Sequence, residues 1–341
     1  MRGGTLGSAG RRGATRVLGV LFSVTALCVS AACSTTTAPA AAAGSHRISL
    51  RIGRASATPS ATPSAPARRV LKDWPRPWYR HDGTCSAPPV IAHRGEGGTI
   101  APLPENTSAA ELAAVAQGAS MLNADLRWTR DDVPVAIHDR LLDRTTTGTG
   151  PVLSVTAVQF TALGLKSNDG RRRLPGDQHP QTLAQLLAAV KHTGVPIVLQ
   201  MEADPFAAGG SGQASIRALA AVIAASGYGG KVVVGGWAAD DVAAFSAAAP
   251  GVMTAFIQET GNPSAASITA TGARIIYIDF ARLTAPQIAA WHAGGLAVWA
   301  WTPPFSAQWR RLQAMGVDAI ATNWIPAYSR WARPCPPVPL S

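Results

Sequence analysis

From residue 90 onward, short apolar runs alternate with longer alanine-rich stretches, and the alternation repeats along the chain. Runs at 90–93, 121–127, 135–138, 197–202, 232–235, 275–279, 297–301 and 319–322 have the length and composition of strands. Between them lie segments with apolar positions at helical spacing, such as 182–192, 215–226 and 285–293. Eight strand candidates separated by helices predict an α/β fold, a closed parallel (β/α)8 TIM barrel rather than an open sheet. The stretch from Cys85 to Cys335 holds about 250 residues, the usual size of one such barrel. In this architecture chemistry gathers at the carboxyl ends of the strands, so polar residues there carry more weight than the same residues elsewhere.

The pattern upstream is different. Arg2, Arg11, Arg12 and Arg16 precede an apolar run, 17–29, that ends in small residues before Cys33. Residues 1–33 read as a signal peptide, with an apolar run too short for a permanent membrane span. Ser30-Ala31-Ala32-Cys33 suits a lipoprotein signal, in which Cys33 is lipidated and anchors the chain to the membrane surface. Serine stands where leucine is usual, so plain cleavage in the alanine-rich stretch that follows remains the second reading. Gly13-Ala14 after Arg11-Arg12 speaks for an ordinary positive leader over a twin-arginine one. Residues 34–84 are rich in Ala, Pro, Ser and Thr with scattered arginines, the composition of a disordered tether. Residues 85–341 are then the folded domain, outside the cytoplasm.

The formal charge of +11 changes meaning once it is located. Twelve of the 30 basic residues and one of the 19 acids precede His81, which leaves 18 of each sign in the rest of the chain. The surplus belongs to the leader and tether, and a neutral domain gives no support for a nucleic-acid groove. Two of the four cysteines, Cys28 and Cys33, lie in the leader. Cys85 and Cys335 flank the first and last strand candidates, which a barrel brings together, so a disulfide between them is expected in an oxidising compartment.

Candidate chemistry sits where a barrel would place it. The first strand ends in His93-Arg94-Gly95, pairing an imidazole with a guanidinium whose planar fork matches phosphate oxygens. The run at 135–138 ends in His138-Asp139. Two histidines at neighbouring strand ends can serve as base and acid across one pocket. Asn123 and Asp125 share one face of the second strand by the period of two, and Glu202 and Asp204 do the same on the fourth. Oxygen donors from two strands predict a site for one divalent metal, Mg or Ca. Trp299, Trp301 and Trp324 fall at or beyond the last strands, and Trp301 and Trp324 are candidate contacts for a glycerol or lipid moiety. Asp318 reads as structural, and no role is assigned to Asn323.

His93-Arg94-Gly95, Pro104-Glu105-Asn106-Thr107, Val133-Pro134-Val135-Ala136-Ile137-His138-Asp139 and Leu142-Asp143-Arg144-Thr145-Thr146-Thr147-Gly148-Thr149-Gly150 follow in order. In these motifs and their spacing the chain resembles the glycerophosphodiester phosphodiesterase family. The likeness runs on through Gln181-Thr182-Leu183 and the Glu202 strand to Gly316-Val317-Asp318-Ala319-Ile320-Ala321-Thr322, so it spans residues 90–326. It implies a (β/α)8 barrel with a metal at its mouth, hydrolysing small glycerophosphodiesters to glycerol 3-phosphate and an alcohol. On this resemblance His93 and His138 match the catalytic histidines, Arg94 the phosphate-contacting arginine, and Asp125 and Glu202 two metal ligands.

Two positions depart from the family pattern, which has glutamate where this chain has Asn123 and lysine where it has Asp204. An amide oxygen still coordinates a hard cation, and Asp204 returns a negative charge near the ion, directly or through a coordinated water. Two further readings stay open beside hydrolysis of glycerophosphodiesters. One is phospholipase D-like action on lysophospholipids or sphingolipids; the other is a barrel that binds phosphodiesters without turnover.

Overall fold

The structure is a computed structural model that describes residues 87–96, 102–175, 178–202 and 212–332. The strands among them are β1 (Val90–Ala92), β2 (Met121–Trp128), β3 (Pro134–Ala136), β4 (Ile197–Met201), β5 (Val232–Gly236), β6 (Met253–Gln258), β7 (Ile275–Asp279), β8 (Ala297–Trp301) and β9 (Ala319–Thr322). Eight of them pair in parallel in the order β1-β9-β8-β7-β6-β5-β4-β2, and β2 returns to β1, closing the barrel. The helices are α1 (Ser108–Ala116), α2 (Ala157–Thr161), α3 (Leu183–Val190), α4 (Gly212–Ser226), α5 (Ala239–Ala248), α6 (Ala265–Ala270), α7 (Ala285–Ala293), α8 (Ser306–Met315) and α9 (Ile325–Ala332).

The barrel is as expected, but one of its staves is not the one expected. The run at 135–138 does not join the barrel: β3 lies antiparallel on β2, with Leu126 opposite Ala136 and Trp128 opposite Pro134. The reason is chain length. Only residues 129–133 separate the two strands, whereas a parallel return needs a dozen or more residues. The turn is held by Thr129 N–H donating to Val133 O at 3.1 Å and by Asp132 at φ +58°. The missing stave is β6, whose Met253, Phe256 and Gln258 are partly exposed and whose Thr254 breaks the apolar run.

Two apolar layers follow from the period of two along each strand. Ile91, Met121, Val198, Val233, Ile257, Tyr277, Trp299 and Ala321 fill the barrel interior. Their alternates, among them Leu122, Ala124, Leu199, Val234, Ile276 and Val298, pack outward against the helices. Each fully buried Val, Leu or Ile among them contributes about 1.5–3 kcal/mol. Helix starts are fixed locally: Thr107 caps α1 by accepting from Ala110 N–H at 3.3 Å. At α3, Thr182 accepts from Gln185 N–H while Gln185 Oε1 accepts from Thr182 N–H. Asp318 is the structural residue expected, its Oδ2 accepting from Val298 N–H at 2.7 Å. Among the described residues no helix is long and apolar enough to cross a membrane.

Candidate active site

Side-chain parity determines what reaches the mouth. With Met121 and Val198 inside the barrel, alternation carries Asn123, Asp125 and Arg127 of β2, and Gln200 of β4 with Glu202 beyond it, to the same face. The register supports this, since Asp125 pairs with Gln200. By the same count Ile91 leads to His93, Val233 to Trp237, Trp299 to Trp301, and Ala321 to Asn323.

The turn after β1 is built for close approach. Gly95 has φ +89°, and a Cβ there would lie 2.7 Å from that of Ala110, so only glycine lets α1 pack against the turn. Arg94 itself takes φ +59°, an uncommon conformation for a long side chain, at a site where it is locked from several sides. Its Nε lies 2.9 Å from Asp125 Oδ2, its NH1 donates to Glu105 Oε1 at 3.3 Å, and its backbone N–H points to Asn123 Oδ1 at 3.4 Å. Asn106 clasps Asp125 twice, with Nδ2 donating to Oδ2 at 3.1 Å and Oδ1 accepting from the backbone N–H at 2.8 Å. Asp125 is fully buried, and among the described residues its Oδ1 has no hydrogen-bond partner.

The second histidine arrives on the hairpin. Arg127 Nε donates to the backbone carbonyl of His138 at 2.5 Å, fixing the chain where β3 gives way to the loop. His138 Nδ1 lies 2.8 Å from Asp139 Oδ1, and Nε2 lies 3.8 Å from Glu202 Oε2. Arg144 extends the chain of charges, donating NH2 to Glu105 Oε1 at 2.6 Å and NH1 to Asn168 O at 2.8 Å. Arg94, Glu105, Arg144, Asp139 and His138 are thereby linked in one series.

The electrostatics separate the two imidazoles. Burial and the neighbouring Arg94 cation push His93 down to about 4, against the weaker pull of Asp125, Asn323 and Glu105. Its Nδ1 lies 2.6 Å from Asn323 Oδ1, a neutral partner, whereas His138 faces a carboxylate. Hydrogen bonds from Arg144 hold the Asp139 carboxyl well below the usual range. Burial, and then the charge of Asp125, raise the Glu202 carboxyl.

The donor chemistry suits a hard cation. Among the described residues Asp125 offers an unpartnered buried oxygen, Asn123 an amide oxygen with a single long contact, and Glu202 a carboxylate destabilised by burial and by a like charge. Among the described residues no three His, Cys, Asp or Glu side chains converge closely enough to enclose an ion. An ion here would draw on the carboxylates of Asp125 and Glu202 and on the amide oxygen of Asn123.

The expected residues His93, Arg94, Asn123, Asp125, Glu202 and His138 thus border one mouth, while Cys33, Cys85, Asp204 and Cys335 lie outside the described residues. Trp301 is half-buried with its ring edge-on to Trp237 at 5.8 Å between centroids, and Trp324 is exposed. Several contributors escaped the sequence. Trp237 and Asn323 were available from strand parity alone. Glu111 on α1 is fully buried, and burial and then Asp125 raise its carboxyl against the opposing backbone N–H of Asn123; nothing in a helical alanine-rich stretch signals it. The profile of the Glycerophosphoryl diester phosphodiesterase family matches residues 93–326. The Bacillus subtilis protein YhdW, assigned as a glycerophosphodiester phosphodiesterase, is 30% identical over 239 residues, 69% of this chain and 94% of its own length. A Silicibacter pomeroyi structure assigned to the same activity shares the fold with a TM-score of 0.67 at 22% identity, covering 76% of this chain and 96% of that one. An Oleispira antarctica phosphodiesterase, solved in complex with the product sn-glycerol-3-phosphate, aligns with a TM-score of 0.62 at 21% identity over 72% of this chain and 97% of that one. With its motifs in order around a closed barrel and the family profile running from His93 into the last described helix, this chain belongs to the glycerophosphoryl diester phosphodiesterase family.

Proposed function

We propose that this chain is a metal-dependent phosphodiesterase that works outside the cytoplasm and hydrolyses glycerophosphodiesters to glycerol 3-phosphate and an alcohol. The observation that carries the reading is the pair of histidines with unlike partners, a neutral amide on His93 and a carboxylate on His138, flanking Arg94 and the oxygen donors. The product bound by the Oleispira relative is the one this reaction releases.

His93 Nε2 takes the proton of the attacking hydroxyl, which belongs to water or to the glycerol carbon next to the ester. The new P–O bond forms as the bond to the departing alcohol breaks, and the electron pair leaves on the alcohol oxygen. His138 Nε2 delivers a proton to that oxygen, with Asp139 balancing the charge of the doubly protonated ring. Where the glycerol hydroxyl attacks, the product is a cyclic phosphate, and water opens it with the roles reversed. Arg94, aimed by Glu105 and Asp125, presents N–H groups to the equatorial phosphoryl oxygens. Asn123, Asp125 and Glu202 would hold a Mg2+ or Ca2+, which would supply positive charge to offset the charge developing on the phosphoryl group. The leader and tether place the domain at a membrane surface through a lipid on Cys33, which labelled fatty-acid incorporation tests against a Cys33→Ala variant.

The purified protein, assayed with glycerophosphocholine and Mg2+ or Ca2+, is expected to release glycerol 3-phosphate. His93→Ala and His138→Ala should each lower kcat by about two orders of magnitude or more. No turnover of any glycerophosphodiester with either metal rejects the hydrolase in favour of a binding barrel. A second substrate class is favoured by the aromatic pair Trp237 and Trp301, which suits an acyl chain. Faster turnover of a lysophospholipid than of glycerophosphocholine selects that reading.

A further inference from the structure

We propose that Asn323 is a positioning residue for His93: its side-chain oxygen, 2.6 Å from Nδ1, holds the Nδ1–H and so presents the Nε2 lone pair to the substrate. The proposal deepens the reading of His93 as the base and rests on it.

The contact is a cross-strand pair. β1 and β9 run parallel with Val90 opposite Ile320, Ile91 opposite Ala321 and Ala92 opposite Thr322. One step further in the same register brings His93 opposite Asn323, and His93 N–H continues the ladder to Thr322 O at 3.4 Å. Ile91 and Ala321 both face the barrel interior, so the two side chains that follow by the period of two leave adjacent strands on the same side. The backbone on either side of Asn323 is held, because Thr322 Oγ1 donates to Pro303 O at 2.9 Å and accepts from Trp324 N–H at 3.4 Å.

The chemistry follows from what an amide oxygen can do. It only accepts, so the hydrogen between the two atoms resides on Nδ1, and a neutral ring then has its lone pair on Nε2. The partner is also uncharged. Arg94 on the same turn disfavours a second proton, while Asp125 on β2 and Glu105 ahead of α1 favour it, and with burial the balance leaves the ring unprotonated at neutral pH. A carboxylate at position 323 would add an anion in direct contact and tip that balance toward the charged ring, which has no lone pair to accept the proton. Asparagine at this position sets the tautomer without supplying that charge.

Three measurements test this in the full-length protein. Asn323→Asp, nearly isosteric, should move the acidic limb of kcat/KM upward by about one pH unit or more. Asn323→Ala should lower kcat about 10- to 100-fold with little change in KM, as for partners that orient a functional histidine. Combined with His93→Ala, it should add no further loss, because a residue acting only through His93 has nothing left to orient. Nitrogen NMR of His93 should show the Nδ1-protonated tautomer in the parent and a mixture in Asn323→Ala. The proposal is overturned if the tautomer is unchanged in Asn323→Ala, if the acidic limb stays in place in Asn323→Asp, or if Asn323→Ala costs as much in the His93→Ala background as alone. Failure of the underlying reading shows separately, as near-normal turnover by His93→Ala.

Discussion

Arg144 closes on Asp139 through two parallel bonds, Nε to Oδ2 at 2.6 Å and NH2 to Oδ1 at 2.8 Å. The same guanidinium reaches Glu105, which is nearly buried and also receives Arg94. A residue 50 positions from Arg94 in the chain thus fixes the carboxylate behind one histidine and the carboxylate behind the phosphate-contacting arginine.

Arg144→Ala should therefore lower both activity and stability. It leaves Glu105 buried with half its partners and frees Asp139 to swing away from His138. Breaking a buried charge pair costs about 3–5 kcal/mol, and the quarter exposure of Arg144 reduces this to an expected loss on the order of 2–3 kcal/mol. Urea denaturation measures it. Arg144→Lys, which lacks the planar fork, should recover less than half; full recovery by lysine means that charge alone matters.

The two halves of this site differ in how far the sequence reveals them. His93, Asn123, Asp125, Glu202 and His138 are legible because each ends or nearly ends an apolar run, and alternation then assigns it a face. Strand β3 is a different matter: the sequence pattern makes His138 the end of a barrel stave, whereas the short 129–133 connection permits only a hairpin. The stave β6 is hidden because Thr254 and Gln258 interrupt its apolar pattern while neighbours on both sides supply its burial. Glu111 is invisible from sequence for a related reason: only packing of α1 on the Gly95 turn makes a first-turn glutamate an interior residue.

The depressed imidazole gives a pH prediction with a definite sign. The unfolded chain holds a histidine near about 6.5, while native His93 lies at about 4. Between those values the unfolded state binds more protons, so native stability should fall as pH is lowered from about 6.5 toward 4 and be insensitive to this group above that window. His93→Gln should flatten the slope by up to one proton. An unchanged slope of unfolding free energy against pH in that variant means that His93 is not the group responsible.

Cys85 and Cys335 flank the barrel in the sequence and lie outside the described residues. A disulfide between them is proposed to close the long loop that holds every strand. Such a link adds about 2–5 kcal/mol, less any strain. The mature protein denatured without reductant should show no free thiol, and two titratable thiols reject the bond.

Asn123→Glu should have opposite effects with and without metal. In the parent, the Asn123 amide is fully buried, Nδ2 donating to Val198 O at 3.3 Å and Oδ1 facing the Arg94 N–H. Glutamate removes the donor to Val198 O and places a second carboxylate two residues from Asp125 on the same face, beside Glu202, whose carboxyl is already raised by burial and by Asp125. Without metal, the unpaired carbonyl and the added charge should cost roughly 1–3 kcal/mol of stability. With Mg2+ or Ca2+ the same carboxylate becomes a stronger hard-oxygen ligand than the amide, so calorimetric affinity should rise and saturating metal should recover the lost stability. Adding Asp204→Lys, which restores the family's residue at both positions, should lower affinity in the parent more than in the Asn123→Glu background, a coupling that a double-mutant cycle reads directly. If Asn123→Glu leaves metal affinity unchanged while still destabilising the metal-free protein, position 123 does not face the ion, and the donor set must be assigned without it.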